Sequence, residues 1–223
     1  MADEIKLTYF AGRGVAESIR LLMAAAGLKW TEEHLNDPDR VAQIRNEGLV
    51  MFGQFPLLQI NGLNLVQSQA IIRYLAKKYG FVRDNLEDNT RVDMLAMGAT
   101  DWYSLGFPGI NWYPEEKRED FIKGIMDKSK SRYIPAFEKA LKDNGSKGYL
   151  VGDTMTVADI ILLDVILWVW ELDETLVKES TELKAFYDKM TSQPGLKEYL
   201  NGPGRFPQPD DKYIQDVKRA LSW

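Results

Sequence analysis

Leu57-Leu58-Gln59-Ile60-Asn61-Gly62-Leu63-Asn64-Leu65-Val66 is a pair of apolar runs separated by Asn-Gly. Both central residues of a two-residue type I′ turn need positive φ, and Asn-Gly supplies them at low steric cost. The stretch therefore reads as a β-hairpin. Pro56 opens its first strand, where a missing N–H is tolerated. Upstream, Ile5, Leu7 and Tyr9 alternate with polar neighbours, which predicts a strand. Ala11-Gly12-Arg13-Gly14 is a glycine-bearing turn. From Val15 the period changes: Val15, Ile19, Leu22, Met23 and Ala26 share one helical face, and Gly27 is placed to stop the helix. Lys29 to Leu35 reads as a second, weaker strand, followed by a connecting stretch. Beyond the hairpin, Ile71, Ile72, Leu75 and Tyr79 mark a helix over Ser68–Tyr79 that ends at Gly80.

A β-α-β unit gives parallel strands, and the hairpin adds antiparallel ones. This is a thioredoxin-like layout, expected over residues 1–80. Strand signals then stop. Residues 81–89 read as a linker and 90–223 as an all-helical domain, so the fold class is α/β followed by all-α. Val92, Leu95, Ala99 and Trp102 share one side of a helix over Thr90–Leu105. Pro114-Glu115-Glu116 puts proline and acids in a first turn, and that helix is expected to run to Leu141 with a bend near Pro135. Thr156-Val157-Ala158-Asp159 has capping-box spacing with Asp in place of Glu. It opens the apolar run Ile160–Trp170. Shorter helices are expected at Glu182–Ser192 and Gly195–Tyr199. A rigid loop through Gly202-Pro203-Gly204 and Pro207-Gln208-Pro209 leads to a last amphipathic helix at about 211–223.

The balance of 45% hydrophobic and 27% charged residues in 223 is ordinary for a globular chain. A net charge of -5, with mixed signs, gives no nucleic-acid footprint. There is no cysteine, which excludes disulfides, thiolate metal sites and cysteine redox chemistry. The single histidine, His34, has no triad or ligand partners and reads as a surface or edge-strand residue. Met1-Ala2-Asp3-Glu4 is acidic and lacks an apolar signal region, so a cytoplasmic protein is expected. Asp164 interrupts the longest apolar run, which is short of the ~20 residues needed to span a bilayer. It reads as a central buried helix.

Five motifs in order resemble the cytosolic glutathione transferases, and the alpha class most closely. They are Leu7-Thr8-Tyr9-Phe10 before Arg13-Gly14; Met51-Phe52-Gly53-Gln54-Phe55-Pro56; Val66-Gln67-Ser68-Gln69-Ala70-Ile71; Ser131-Arg132-Tyr133-Ile134-Pro135-Ala136-Phe137-Glu138; and Tyr149-Leu150-Val151-Gly152-Asp153 running into Thr156-Val157-Ala158-Asp159. Each is short. Their order and spacing together cover essentially the whole chain.

The resemblance implies a catalytic Tyr9 whose hydroxyl donates to the glutathione sulfur. It implies that Arg45, Gln54, Phe55, Pro56, Gln67 and Ser68 hold glutathione, with the Phe55–Pro56 bond cis, and that no metal is used. Asp101 and Arg132 would reach the glutathione of a partner subunit in a homodimer, and Phe52 would be the aromatic key inserted into that partner. Asp101 also lies seven residues after Met94, on the same helical face. Phe10, Gly14, Val15, Ser104, Phe107, Pro108 and Asn111 are expected to line an electrophile pocket. The last helix would close it with Ile214, Val217, Leu221 and Trp223. The alpha class carries arginine where this chain has Val15, so less positive charge is expected near the sulfur; Arg13 matches a neighbouring arginine with a structural role.

The implied function is conjugation of glutathione, as co-substrate, to apolar electrophiles in detoxification, with peroxide reduction or isomerisation as variants. The alternative is a non-enzymatic binding protein on the same fold, a ligandin or a lens structural protein; Val15 keeps this open. A disulfide reductase is excluded by the missing cysteines, and membrane insertion is disfavoured by the short apolar run.

Overall fold

β1 (Ile5–Tyr9) is an inner strand of the sheet in the computed structural model, which describes residues 3–223. Met1 and Ala2 of the acidic N-terminus lie outside the described residues. A 3₁₀ turn (Gly14–Ala16) leads into α1 (Glu17–Ala25), and β2 (Thr31–His34) returns parallel to β1 with His34 opposite Tyr9. Next comes α2 (Pro38–Asn46), in the stretch expected only to connect. β3 (Leu57–Ile60) runs antiparallel to β1, and β4 (Leu63–Val66) pairs with β3, Leu63 opposite Ile60. Asn61 and Gly62 have φ of 48° and 84°, the two positive angles that the hairpin turn requires. α3 (Ser68–Tyr79) completes a thioredoxin-like domain whose strand order is β2-β1-β3-β4. His34 is an exposed residue on the edge strand.

The remainder is helical. α4 (Leu86–Tyr103) begins inside the segment expected to be a linker over 81–89, before Thr90. The reason is local: the Asn85 side chain accepts a hydrogen bond from the Asp88 amide at 2.8 Å, which caps the helix there. A 3₁₀ segment (Phe107–Trp112) precedes α5 (Glu115–Lys128) and α6 (Ile134–Asp143). The expected bend at Pro135 is instead a π-helical turn over Ser129–Tyr133. There the buried Ser129 hydroxyl donates to the Ile125 carbonyl at 2.8 Å and accepts from the Trp102 indole at 2.7 Å. Pro135 sits in the first turn of α6, where proline is tolerated.

α7 (Val157–Leu172) is the axis of the second domain. Every residue from Val157 to Val169 is buried, as an all-round apolar helix demands. α8 (Glu174–Lys178), α9 (Thr181–Ser192), α10 (Pro194–Asn201) and α11 (Asp211–Leu221) complete the chain. α1 packs on α3, α7 and α10 together, so it joins the two halves. Its buried charges are compensated: the Arg20 guanidinium meets Glu32 at 2.9 Å and Glu17 at 3.4 Å. An unpaired charge in that position would cost several kcal/mol, about 3–5.

Candidate active site

Tyr9 ends β1 and is held in register by its carbonyl, which accepts from the Leu35 amide at 2.9 Å. The chain then turns sharply through Gly12 and Gly14. Gly14 has φ of 43°, and a Cβ on it would lie 2.4 Å from the Tyr9 hydroxyl oxygen. Glycine is therefore needed both for the backbone and for the phenol's position. The Tyr103 hydroxyl donates to the Gly14 carbonyl at 2.7 Å and fixes this turn from the second domain. The Val15 amide, opening the helical segment, points at the Tyr9 oxygen.

Burial pushes the Tyr9 phenol pKa up, against a smaller downward pull from the Val15 amide and the Arg20 charge. Tyr9 therefore keeps its proton at neutral pH, and no acceptor takes it among the described residues. It is a buried hydrogen-bond donor waiting for a partner. Arg13 faces away: its guanidinium meets Glu171 at 2.6 Å and the Phe206 carbonyl at 2.7 Å, and lies 5.6 Å from the Trp168 ring centroid. It ties the 3₁₀ turn to the loop before α11.

A polar ledge lies along the sheet beside β3. The Phe55–Pro56 bond is cis. Gln54 and Gln67 are exposed and joined, the Gln67 amide donating to the Gln54 carbonyl at 3.1 Å. Gln67 has φ of 68°, a region that costs a non-glycine residue about 1–3 kcal/mol and is found mostly where function demands it. It directly precedes α3. Its carbonyl accepts from the Ala70 and Ile71 amides, which leaves the Ser68 and Gln69 amides free, a site suited to an anion. Arg45, at the end of α2, donates to the Gly53 carbonyl at 3.0 Å and is exposed beside this ledge.

Asp101 and Arg132 are both exposed, and among the described residues no hydrogen bond or ion pair joins either to this ledge. The core face of α4 is Val92, Ala96, Ala99 and Trp102. Asp101 lies off it, on the face that exposes Met94 and Met97. Phe52 is 61% exposed and Met51 is exposed beside it, so Phe52 is not a core residue.

Next to Tyr9 is an apolar cavity of about 290 Å³. Of the residues expected there, Phe10, Gly14, Val15, Pro108, Val217, Leu221 and Trp223 line it. Four do not. Phe107 is fully buried against Trp168, and Ile214 is a buried residue of α11 itself. Asn111 donates its amide to the Pro209 carbonyl, and Ser104 opens into a neighbouring recess. Sequence reasoning missed Tyr9 itself, Gly109, Trp112, Pro209 and Tyr213 as lining residues. The stripe Tyr213, Val217 and Leu221, each four apart, was the available signal; Ile214 is one position out of phase with it.

A larger cavity of about 620 Å³ lies elsewhere, lined by Trp30, Glu32, Tyr199 and Phe206 among others. Its Glu32 carboxylate is already taken by Arg20 and by the Trp30 indole at 2.9 Å, and its Tyr199 hydroxyl donates to Glu17 at 3.0 Å. Among the described residues, no three His, Cys, Asp or Glu side chains gather to hold a metal. No helix among them is long and apolar enough to cross a membrane.

Comparisons with known proteins point the same way. Residues 5–77 match the family model for the glutathione S-transferase N-terminal domain, and residues 101–203 match that for the C-terminal domain. The chain is 39% identical to mouse glutathione S-transferase A4 over 224 residues, covering 100% of both chains. It is 37% identical to human glutathione S-transferase A3, covering 99% of each. Its fold matches a crystal structure of a monomeric glutathione S-transferase from the hookworm Necator americanus, with a TM-score of 0.78 and 31% identity. That match covers 88% of this chain and 96% of the other.

Proposed function

The chain belongs to the glutathione S-transferase family, and on that premise we propose that it joins the glutathione sulfur to apolar electrophiles. The observation that carries this reading is the Tyr9 hydroxyl: protonated, without an acceptor among the described residues, and at the wall of an apolar cavity. A thiol with pKa ~8.5 is mostly protonated at neutral pH. A phenol donor bonds the sulfur anion more strongly than the thiol, so it lowers that pKa. The sulfur lone pair then forms the new bond to carbon, and the leaving group departs with its own electron pair.

Glutathione lies along the ledge in this reading. Its cysteinyl backbone pairs with the turn at Gln54, Phe55 and Pro56. The γ-glutamyl carboxylate takes the Ser68 hydroxyl and the free amides at the start of α3, and Gln67 and Arg45 hold the rest. The electrophile occupies the cavity beneath α11. The work is done in a cytoplasmic setting, as detoxification, without a metal. Conjugation of glutathione to a generic aryl halide, beside calorimetric titration of glutathione, tests it. Turnover with binding is expected; binding without turnover would contradict the enzyme and favour a ligand carrier on this frame.

Position 15 can be tested directly. A guanidinium at Val15 that lowers the bound thiol by about one pKa unit, roughly 1.4 kcal/mol, multiplies the thiolate present at pH 7 several-fold. Val15→Arg is therefore expected to raise kcat/KM by a similar factor. An unchanged value would mean that Tyr9 and the helix N-terminus already suffice.

The exposed Met51, Phe52, Met94 and Met97 are read as the face of a homodimer, with Phe52 as its anchoring aromatic. Asp101 and Arg132 then serve the partner's glutathione. The Necator relative is a monomer, so this is a property to measure. Phe52→Ser is expected to convert dimer to monomer in light scattering at micromolar concentration, while an unchanged mass would remove Phe52 from that role.

A further inference from the structure

The peptide unit that joins Gly14 to Val15 faces two phenols. On its nitrogen side, the Val15 N–H points at the Tyr9 oxygen. Val15 stands in the first turn of its helical segment, where an N–H has no partner within the helix. On its oxygen side, the Gly14 carbonyl accepts from the Tyr103 hydroxyl at 2.7 Å and from the Glu17 amide. Those two donors fill both lone pairs that a carbonyl offers. Gly14 lets the unit come this close: a Cβ on it would lie 2.4 Å from the Tyr9 oxygen, and its φ of 43° is one that glycine adopts without strain.

Tyr103 comes from the last turn of α4, in the second domain, 89 residues along the chain from the carbonyl it meets. Desolvation, and then the Asp164 carboxyl, push the Tyr103 pKa well above its ordinary value. Its proton therefore stays on the phenol throughout the range in which a thiol ionises. Among the described residues the Gly14 carbonyl is its acceptor, and the bond crosses between the domains.

We propose that Tyr103 is a positioning residue for the reaction: by holding and polarising the Gly14–Val15 peptide, it strengthens the hydrogen bond that Tyr9 gives to the glutathione sulfur. The proposal rests on the conjugation reading above. A peptide group is conjugated, so a donor on its oxygen draws electron density from its nitrogen and makes the N–H more positive. That N–H, facing the Tyr9 oxygen, makes the Tyr9 phenol a better donor in turn. Hydrogen bonds in such chains strengthen one another by about 10–30% each. No proton changes atom: each phenol keeps its own, and only partial charge moves. The side chain at position 15 carries no charge in this chain, so the peptide is the polar group that this position offers to Tyr9. One hydroxyl of the helical domain thereby sets the strength of a donor on β1.

The test is Tyr103→Phe in the full-length protein, which removes the oxygen and keeps the ring, with ultraviolet titration of bound glutathione. The bound thiol is expected to ionise about 0.3–0.6 unit higher, which leaves roughly two- to fourfold less thiolate at pH 7. kcat/KM is expected to fall by the same factor at pH 7 and to meet the unaltered protein's value at alkaline pH, where the thiol is fully ionised. In Tyr9→Phe, adding Tyr103→Phe is expected to shift the ionisation no further, because the chain of bonds has lost its last member. Tyr103→3-fluorotyrosine, a more acidic phenol and a stronger donor, is expected to move the ionisation downward; it also decides the matter if Tyr103→Phe does not fold. An unchanged ionisation in either folded variant, or the same shift with and without the Tyr9 hydroxyl, overturns the relay and leaves Tyr103 a brace. Ionisation of bound glutathione at the free-thiol value in the unaltered protein overturns the role of Tyr9, and the relay with it.

Discussion

Tyr9→Phe is expected to lose about 10- to 100-fold in turnover while binding glutathione nearly as well. The substitution removes one oxygen and its proton and leaves the ring in the core. A hydrogen bond to a charged partner contributes about 1.5–3 kcal/mol, and each 1.36 kcal/mol is about tenfold in rate. The loss falls on the step that needs the thiolate. The proposed anchors for glutathione's carboxylates, Arg45 and the start of α3, do not touch the phenol. The pH dependence separates this from a packing defect. Tyr9 is a donor throughout the neutral range because burial holds its pKa up. Without it the bound thiol must ionise nearer ~8.5, so the alkaline rise in kcat/KM moves to higher pH. A simple packing defect would lower the rate at all pH values and leave the profile in place. Wild-type turnover in Tyr9→Phe would remove Tyr9 from the mechanism.

Asp159→Ala is expected to destabilise the fold by about 3–5 kcal/mol. The Asp159 carboxylate is wholly buried at the start of α7. One oxygen accepts from the Leu150 amide at 2.7 Å; the other accepts from the Thr156 amide at 2.7 Å and the Thr156 hydroxyl at 2.8 Å. Burial raises its pKa to about 6, so at neutral pH it is still mostly the anion that these donors need. Alanine would strand all three in a dry interior, each costing about 1–3 kcal/mol. With total stabilities of about 5–15 kcal/mol for such domains, the variant is expected to unfold at markedly lower urea concentration. A shift no greater than that of an exposed cap, such as Asp37→Ala on α2, would mean that the buried donors find other partners.

Legibility followed the strength of local constraint. The hairpin was readable because Asn61-Gly62 has few alternatives once two apolar runs flank it. The capping box at Thr156 was readable because its spacing and the long apolar run agree. α2 was not, because only Val41 and Ile44 of its nine residues are buried, too few to set a period. Its start was nonetheless written in Asp37-Pro38-Asp39: the Asp37 side chain accepts from the Asp39 amide at 3.0 Å, with proline at the first turn. α8, five residues long, is too short for any period. The π turn before α6 depends on Ser129 meeting Trp102 from another helix, a contact that no local pattern announces.

The site divides similarly. Tyr9, Gly14 and Pro56 stand at element ends with recognisable turn residues, so their positions could be read from the chain. The positive φ of Gln67 could not, since glutamine carries no preference for it. Nor could the recess at Asp164. From sequence that residue is only an interruption in an apolar run. Thr100, Ser104 and Val15, which line that recess with it, come from elements that meet only in the folded chain.

The central claim is that Tyr9 lowers the pKa of glutathione's thiol. The most direct measurement is to titrate the protein–glutathione complex and follow the ultraviolet absorption of the thiolate. The account predicts ionisation at least about one unit below the ~8.5 of a free thiol, with the shift lost in Tyr9→Phe. Ionisation of bound glutathione at the pH of the free thiol would contradict it.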